Sequence, residues 1–259
     1  MQASEQATLV AAIVEIARQA GDLILDIYHS DFEVRGKEDA SPVTAADEQA
    51  EALILQGLNA LATPYPIIAE EAYAAGDIPA VDDCFWLVDP LDGTREFVNR
   101  NGEFTVNIAL IKQGKPLLGV VLAPALNQLY AGSRDNGAFV EDDQGRRAIK
   151  ARRPAQAGLD VLASRSHGDT AALDELLKGR TVHSLINAGS SLKLCLIAAG
   201  QADVYPRQGR TMEWDIAAGD AVLRAAGGHV QVFDGSPLRY GKAGFENPHF
   251  VASGAEAFF

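Results

Sequence analysis

Cysteine is nearly absent. The 259 residues hold two, Cys84 and Cys195, far apart and both in apolar surroundings. That excludes a disulfide framework or a cysteine-rich zinc site and leaves two reduced core thiols as the expectation. Positive charge is scarce as well: 22 Lys and Arg stand against 35 Asp and Glu, a net charge of −13, which argues against binding duplex nucleic acid. No apolar run approaches the ~20 residues that span a bilayer. The opening Met1-Gln2-Ala3-Ser4-Glu5 lacks the basic and apolar segments of a secretion signal. The cytoplasm is the expected location, with loose attachment to the cytoplasmic face of the inner membrane left open. The histidines (His29, His167, His183, His229, His249) show no metal-ligand spacing. There is no Walker loop, no dinucleotide glycine fingerprint and no G-x-S-x-G elbow.

What is present is patterned. Leu9, Ile13, Ile16, Ala17, Ala20, Leu23, Ile24 and Ile27 recur at helical spacing, which predicts a long first helix. A second helix is expected from about Ala45 to Leu61, opened by the capping box Thr44-Ala45-Ala46-Asp47. Short β-rich runs follow: Pro66–Ala69, Phe85–Val88, Thr105–Ile111, Leu117–Leu122, Gln128–Tyr130 and Gly137–Val140, with a turn at Gln113-Gly114. The basic stretch Arg146 to Arg153, ending at Pro154, predicts a boundary between an α+β lobe (residues 1–150) and a smaller α/β lobe (151–259). In the second lobe, strands are expected at 161–164, 182–186, 204–205 and 230–233, with helices at 170–177, 191–199 and 215–226.

The chemistry gathers on carboxylates. Asp89 ends an apolar strand, Pro90 denies the ladder a donor, and the turn delivers Asp92 three residues later. Gly93 permits close backbone approach to a ligand and Thr94 can open a helical turn, so an anion site would sit beside two metal-binding carboxylates. A strand-end turn closed by Asx hydrogen bonds is the plainer explanation of this segment alone. Glu70-Glu71 follows the strand at 67–69, where alternation would send one of the pair into the site. Asp215 and Asp47 each stand where a helix cap would account for them. Together, Glu70, Asp89, Asp92 and Asp215 make an all-oxygen set that suits Mg²⁺, with Mn²⁺ as a substitute, and not Zn²⁺.

Asp89-Pro90-Leu91-Asp92-Gly93-Thr94 and Trp214-Asp215-Ile216-Ala217-Ala218-Gly219 resemble the two signatures of the inositol monophosphatase superfamily. The intervening order, Thr44 with Asp47 and then Glu70-Glu71, matches too, so the resemblance spans nearly the whole chain. Finer details resemble the bacterial CysQ-type 3′(2′),5′-bisphosphate nucleotidase branch: Ser41 to Asp47, Arg95-Glu96-Phe97, Asn101 to Leu110, Ser164-Arg165-Ser166-His167, Gly189 to Lys193, and Ala202 to Arg207. The Thr-Asn-Phe type of continuation usual in inositol monophosphatases is missing.

The resemblance implies a layered αβαβα sandwich and a Mg²⁺-dependent phosphomonoesterase. It would act on 3′-phosphoadenosine 5′-phosphate, or its 5′-phosphosulfate counterpart, in sulfur assimilation and nucleotide recycling. Glu70, Asp89 and the Leu91 carbonyl would hold one ion; Asp89, Asp92 and Asp215 would hold a second, and a third, weaker ion would sit near Glu70. Gly93 and Thr94 would contact the phosphate. Glu70, or Thr94 with Asp47, would take the proton of a water attacking phosphorus in line, with no covalent enzyme intermediate. Li⁺ inhibition is a further implication. Lys193 and Arg207 are candidates for the second phosphate, with Ser190 and Ser191 near base or sugar. A snorkelling surface lysine is the competing account of Lys193. Inositol monophosphate or a sugar bisphosphate is the rival substrate, and a non-catalytic metal-binding regulator the remote one. A glycosidase would explain neither the Gly93-Thr94 anion site nor the low aromatic content of 7%. Oligomeric state, monomer or homodimer, is left open.

Overall fold

The computed structural model describes residues 1–36, 42–62, 65–164, 173 and 175–259. Helix α1 (Ala3–Tyr28) buries Leu9, Ile13, Ile16, Ala17, Ala20 and Ile24 on one stripe, as the periodicity predicts. After the small hairpin β1 (Val34–Gly36) and β2 (Pro42–Thr44), helix α2 (Ala45–Asn59) turns Ala46, Ala50, Ile54 and Leu58 inward. Both helices pack on one face of a seven-stranded sheet. Its strands lie in chain order: β3 (Ile67–Ala69), β4 (Cys84–Asp92), β5 (Thr105–Lys112), β6 (Lys115–Ala123), β7 (Gln128–Ser133), β8 (Gly137–Asp142) and β9 (Gly145–Ile149). Only the β3–β4 pair is parallel. Two five-residue helices, α3 (Glu70–Ala74) and α4 (Thr94–Val98), follow β3 and β4.

The second sheet is mixed, in the order β11 (Val182–Ala188), β10 (Leu159–Ser164), β12 (Val204–Arg207), β14 (Phe250–Ser253), β13 (His229–Val232). Between the sheets lie α5 (Leu192–Ala198) and α6 (Glu213–Ala225). Gly119 lets α6 press onto β6, because a Cβ there would come within 2.8 Å of the Ala218 carbonyl oxygen. On the outer face of the second sheet, Leu173, Leu176 and Leu177 pack against Leu159, Val161, Val204 and Val251. The result is the expected αβαβα layering. Among the described residues no helix is long and apolar enough to cross a membrane, and both cysteines are free thiols.

Several local expectations need correction. The strand at Phe85–Val88 does not stop at Asp89. It continues to Asp92 with a register shift, since Asp89 pairs with Asn107 but Asp92 with Thr105. Three steps on β4 thus oppose two on β5, a bulge that accommodates Pro90 without breaking the sheet. Glu70 follows β3 as expected, but the strand alternation does not extend to it, because it opens α3. The basic run is not an interrupted linker, because β9 pairs there with β8, and Arg146 and Arg147 form ion pairs with Glu141 and Asp142. Strand β14 was not anticipated, and it separates β12 from β13. The helix expected over 170–177 and the Ser164–His167 stretch fall largely outside the described residues.

Candidate functional site

The parallel pair β3–β4 carries two acids to the same sheet end, Asp89 on β4 and Glu70 at the first turn after β3. Asp215 arrives from the opposite side as the third residue of α6. One carboxylate oxygen from each of Glu70, Asp89 and Asp215 falls within 4.8 Å of the others. Only oxygens are offered, which is the donor set of a hard divalent cation. Asp89 is buried and its Oδ1 accepts the Leu91 N–H at 3.0 Å. Asp215 also caps its own helix, its Oδ2 accepting the Met212 N–H at 2.9 Å. The cap and the convergence coexist, so the plainer explanation of Asp215 is true without being complete.

Asp92 stands beside this trio. Its Oδ2 accepts the Ser191 N–H at 2.6 Å. Burial lifts its pKa to about 6, against the pull of Lys193 and the Ser191 amide, with Glu70 and Glu96 adding repulsion. Asp215 is held well above the ordinary carboxylate range, first by burial and then by Asp92 and Glu70. Carboxylates crowded this closely call for a positive counter-charge, and a divalent cation fits the residues present.

Helix α2 contributes a further acid. Asp47, 2% exposed, accepts the Thr44 N–H and hydroxyl on Oδ2, both at 2.8 Å. Its Oδ1 accepts the Thr94 hydroxyl at 3.1 Å, so the capping box also reaches the cleft. Gly93 links Asp92 to Thr94 at φ 90°, left-handed backbone that favours glycine. One turn beyond Asp47, Glu51 is buried and receives the Glu71 and Ala72 N–H groups, each at 2.8 Å. It therefore caps the short helix that begins with Glu70. Sequence reasoning missed Glu51; its position four residues after Asp47, on the same helix face, was the available signal.

Ser190, Lys193 and Arg207 line the same cleft of about 300 Å³ as the acids. Lys193 is no snorkelling surface residue. It is 5% exposed, donates to the carbonyls of Ser190 (2.5 Å) and Ala188 (3.2 Å), and sits over the Tyr205 ring. Burial lowers its pKa to about 8, opposed chiefly by Asp92. Ser190 has φ 42°, and among the described residues its buried hydroxyl and the buried Arg207 Nε have no hydrogen-bond partner. Two such polar groups in one cleft suit an anionic ligand.

Ser191 differs from expectation. Its hydroxyl is engaged in the core, donating to Asn107 Oδ1 at 2.7 Å and lying 3.0 Å from the Thr105 hydroxyl, so it is not directed to base or sugar. Its role is to hold Asp92 through its backbone amide. Replacing Ser191 with alanine is expected to cost about 1–3 kcal/mol of stability by denaturant unfolding. Turnover should stay within ~10-fold, because the amide on Asp92 remains.

The model of the inositol monophosphatase family matches residues 5–256. The 3′(2′),5′-bisphosphate nucleotidase CysQ of Escherichia coli K12 is 47% identical over 244 residues, covering 93% of this chain and 98% of that protein. Its Haemophilus influenzae counterpart is 32% identical over 255 residues, covering 96% and 94%. Among solved structures, CysQ from Bacteroides thetaiotaomicron superposes with a TM-score of 0.82 at 38% identity, covering 97% of this chain and 98% of that one. An inositol monophosphatase of Thermotoga maritima gives 0.76 at 29% identity, covering 93% and 90%. The chain belongs to the inositol monophosphatase family.

Proposed function

We infer that this chain is a Mg²⁺-dependent phosphoric monoester hydrolase acting as a 3′(2′),5′-bisphosphate nucleotidase, with 3′-phosphoadenosine 5′-phosphate as substrate and AMP and phosphate as products. The observation that carries this reading is the mixed lining of one cleft, converging carboxylates together with the cations Lys193 and Arg207. A substrate with two phosphates suits such a cleft, because cations held by the acids can take one phosphate and Lys193 with Arg207 the other. Inositol monophosphate has no second phosphate to offer Lys193 and Arg207.

Glu70, Asp89, the Leu91 carbonyl, Asp92 and Asp215 would hold two divalent cations, with a third, weaker ion near Glu70; when bound, these supply the positive charge that draws in phosphate and activates water. Mn²⁺ would substitute, and Li⁺ would inhibit by competing at one of these positions. Gly93 and Thr94 position the reacting phosphate. The Thr94 hydroxyl donates to Asp47, leaving its oxygen free to accept a water proton and hand its own to the carboxylate. Glu70 is the second base within reach of the cleft. Lys193 has two of its three donors on carbonyls, so the third can meet the non-reacting phosphate beside Arg207.

Phosphate release from 3′-phosphoadenosine 5′-phosphate and from inositol 1-phosphate, each with Mg²⁺, with EDTA and with added Li⁺, tests this. Mg²⁺-dependent release favouring the nucleotide is expected. Preference for the inositol ester would overturn the substrate, and no release from either would overturn the enzyme.

A further inference from the structure

The seven-stranded sheet carries a second charged feature at its other end. Strand β5 starts at Thr105 opposite Asp92 and ends at Lys112 opposite Cys84. Seven residue steps, 105 to 112, separate these ends, or ~24 Å at strand rise. There Lys112, Gln113, Lys115, Arg134 and Arg239 line a depression of about 410 Å³.

Three observations make this more than a scatter of surface cations. First, Lys112 and Lys115 are directly opposed in the β5–β6 ladder, where like charges repel. Second, the turn joining them is held in a demanding shape. Gln113 and Gly114 both have positive φ (54° and 68°), unfavourable for glutamine. The Tyr240 N–H donates to the Gly114 carbonyl at 3.1 Å, and Arg239 Nη1 to the Gln113 carbonyl at 3.4 Å. Third, among the described residues none of these four cations has an ion-pair partner. Elsewhere on the same sheet Arg146 and Arg147 are neutralised by Glu141 and Asp142. With 35 acidic residues against 22 basic ones, counter-charges are not in short supply.

We propose that this depression is a binding site for a multiply charged oxyanion, a phosphate monoester or a pyrophosphate, separate from the catalytic cleft. The two arginines offer planar forks to anion oxygens and the two lysines offer point charges. An anion bridging Lys112 and Lys115 would turn their repulsion into a shared contact.

The test uses the intact chain in EDTA, which removes the cations that would draw an anion to the acids of the catalytic cleft. Inorganic pyrophosphate is titrated while amide NMR shifts and heats of binding are followed. Saturating shifts at the Gln113, Gly114 and Arg134 amides are expected. In a Lys112→Gln/Lys115→Gln/Arg134→Gln variant, affinity should fall at least ~10-fold, with Mg²⁺-dependent phosphate release unchanged. A second arm separates a soluble ligand from a lipid headgroup. If phosphatidic acid vesicles, but not phosphatidylcholine vesicles, sediment the wild-type chain and not the variant, the oxyanion is a membrane phosphomonoester. Saturating pyrophosphate shifts without vesicle binding would make it soluble. Unchanged pyrophosphate affinity in the variant, with no vesicle binding that depends on these residues, would overturn the proposal.

Discussion

Replacing Asp92 with asparagine is expected to abolish Mg²⁺-dependent phosphate release while making the metal-free chain more stable. On the proposed function Asp92 would help hold a divalent cation, and its loss would remove several kcal/mol of transition-state stabilisation, ~10³-fold in kcat/KM. The gain in stability follows from the raised pKa of about 6 against an ordinary 3.8. A carboxyl with a raised folded-state pKa binds its proton more tightly when folded. Stability is therefore intact below the unfolded value, declines as pH rises from about 4 to about 6, and stays low above that. The attraction of Lys193 and the Ser191 amide already counts in that net, so a neutral isostere stands for the protonated form. Above pH 6 the variant should be more stable by roughly 3 kcal/mol in EDTA, and the difference should vanish below about pH 4. Added Mg²⁺ should reverse the order by stabilising the wild-type chain more. Urea unfolding at pH 4, 6 and 8, with EDTA or Mg²⁺, reads all of this. Equal stabilities at pH 8 in EDTA would refute the account of Asp92 as a strained, cation-seeking group.

That strain was not visible in the sequence, although its ingredients were. The spacing of Asp89, Asp92 and Thr94 and the capping position of Asp215 are local, and local patterns survive reading along the chain. The long helices were equally accessible, because Leu9 through Ile24 mark one continuous stripe. What escaped depends on partners far away in sequence. Pro90 looks like a strand terminator until β5 is present to absorb a bulge beside Asn107. Glu70 looks like a strand end until Glu51, 19 positions earlier, supplies the cap that starts a helix there. Arg146 and Arg147 read as a linker because their acids, Glu141 and Asp142, face them only once β8 and β9 pair. Ser191 reads as a ligand group because it lies between Ser190 and Lys193, two proposed ones; Thr105 and Asn107, which hold its hydroxyl, come from the other half of the chain. The groups that line the cleft thus come from short motifs, but their alignment comes from tertiary contacts.

Glu51 is where that alignment can be tested. Helix α3 has five residues, too few to persist by itself, and its first-turn amides need acceptors. Glu51 provides both from α2, the helix whose preceding turn places Asp47 against Thr94. One helix face therefore sets the Thr94–Asp47 pair, proposed above to accept the proton, and the start of the helix that carries Glu70. In Glu51→Gln, a single carbonyl oxygen replaces two charged acceptors, and the new NH₂ faces an amide N–H that it cannot satisfy. The loss is about 1–3 kcal/mol locally, and the start of the helix that carries Glu70 is loosened. Misplacement near 1 Å can cost ~10²-fold in rate, so kcat should fall about that much. Half-activation should shift to higher Mg²⁺, and calorimetric Mg²⁺ affinity should weaken in parallel. A merely structural role would lower the unfolding midpoint without moving the Mg²⁺ dependence at temperatures where the variant is folded. Asp203→Asn supplies the comparison: Asp203 is a buried carboxylate tied to Arg152 at 2.8 Å and does not line the cleft. It should destabilise the chain and leave Mg²⁺ activation where it was. If Glu51→Gln behaves like Asp203→Asn, Glu51 supports the fold and not the site.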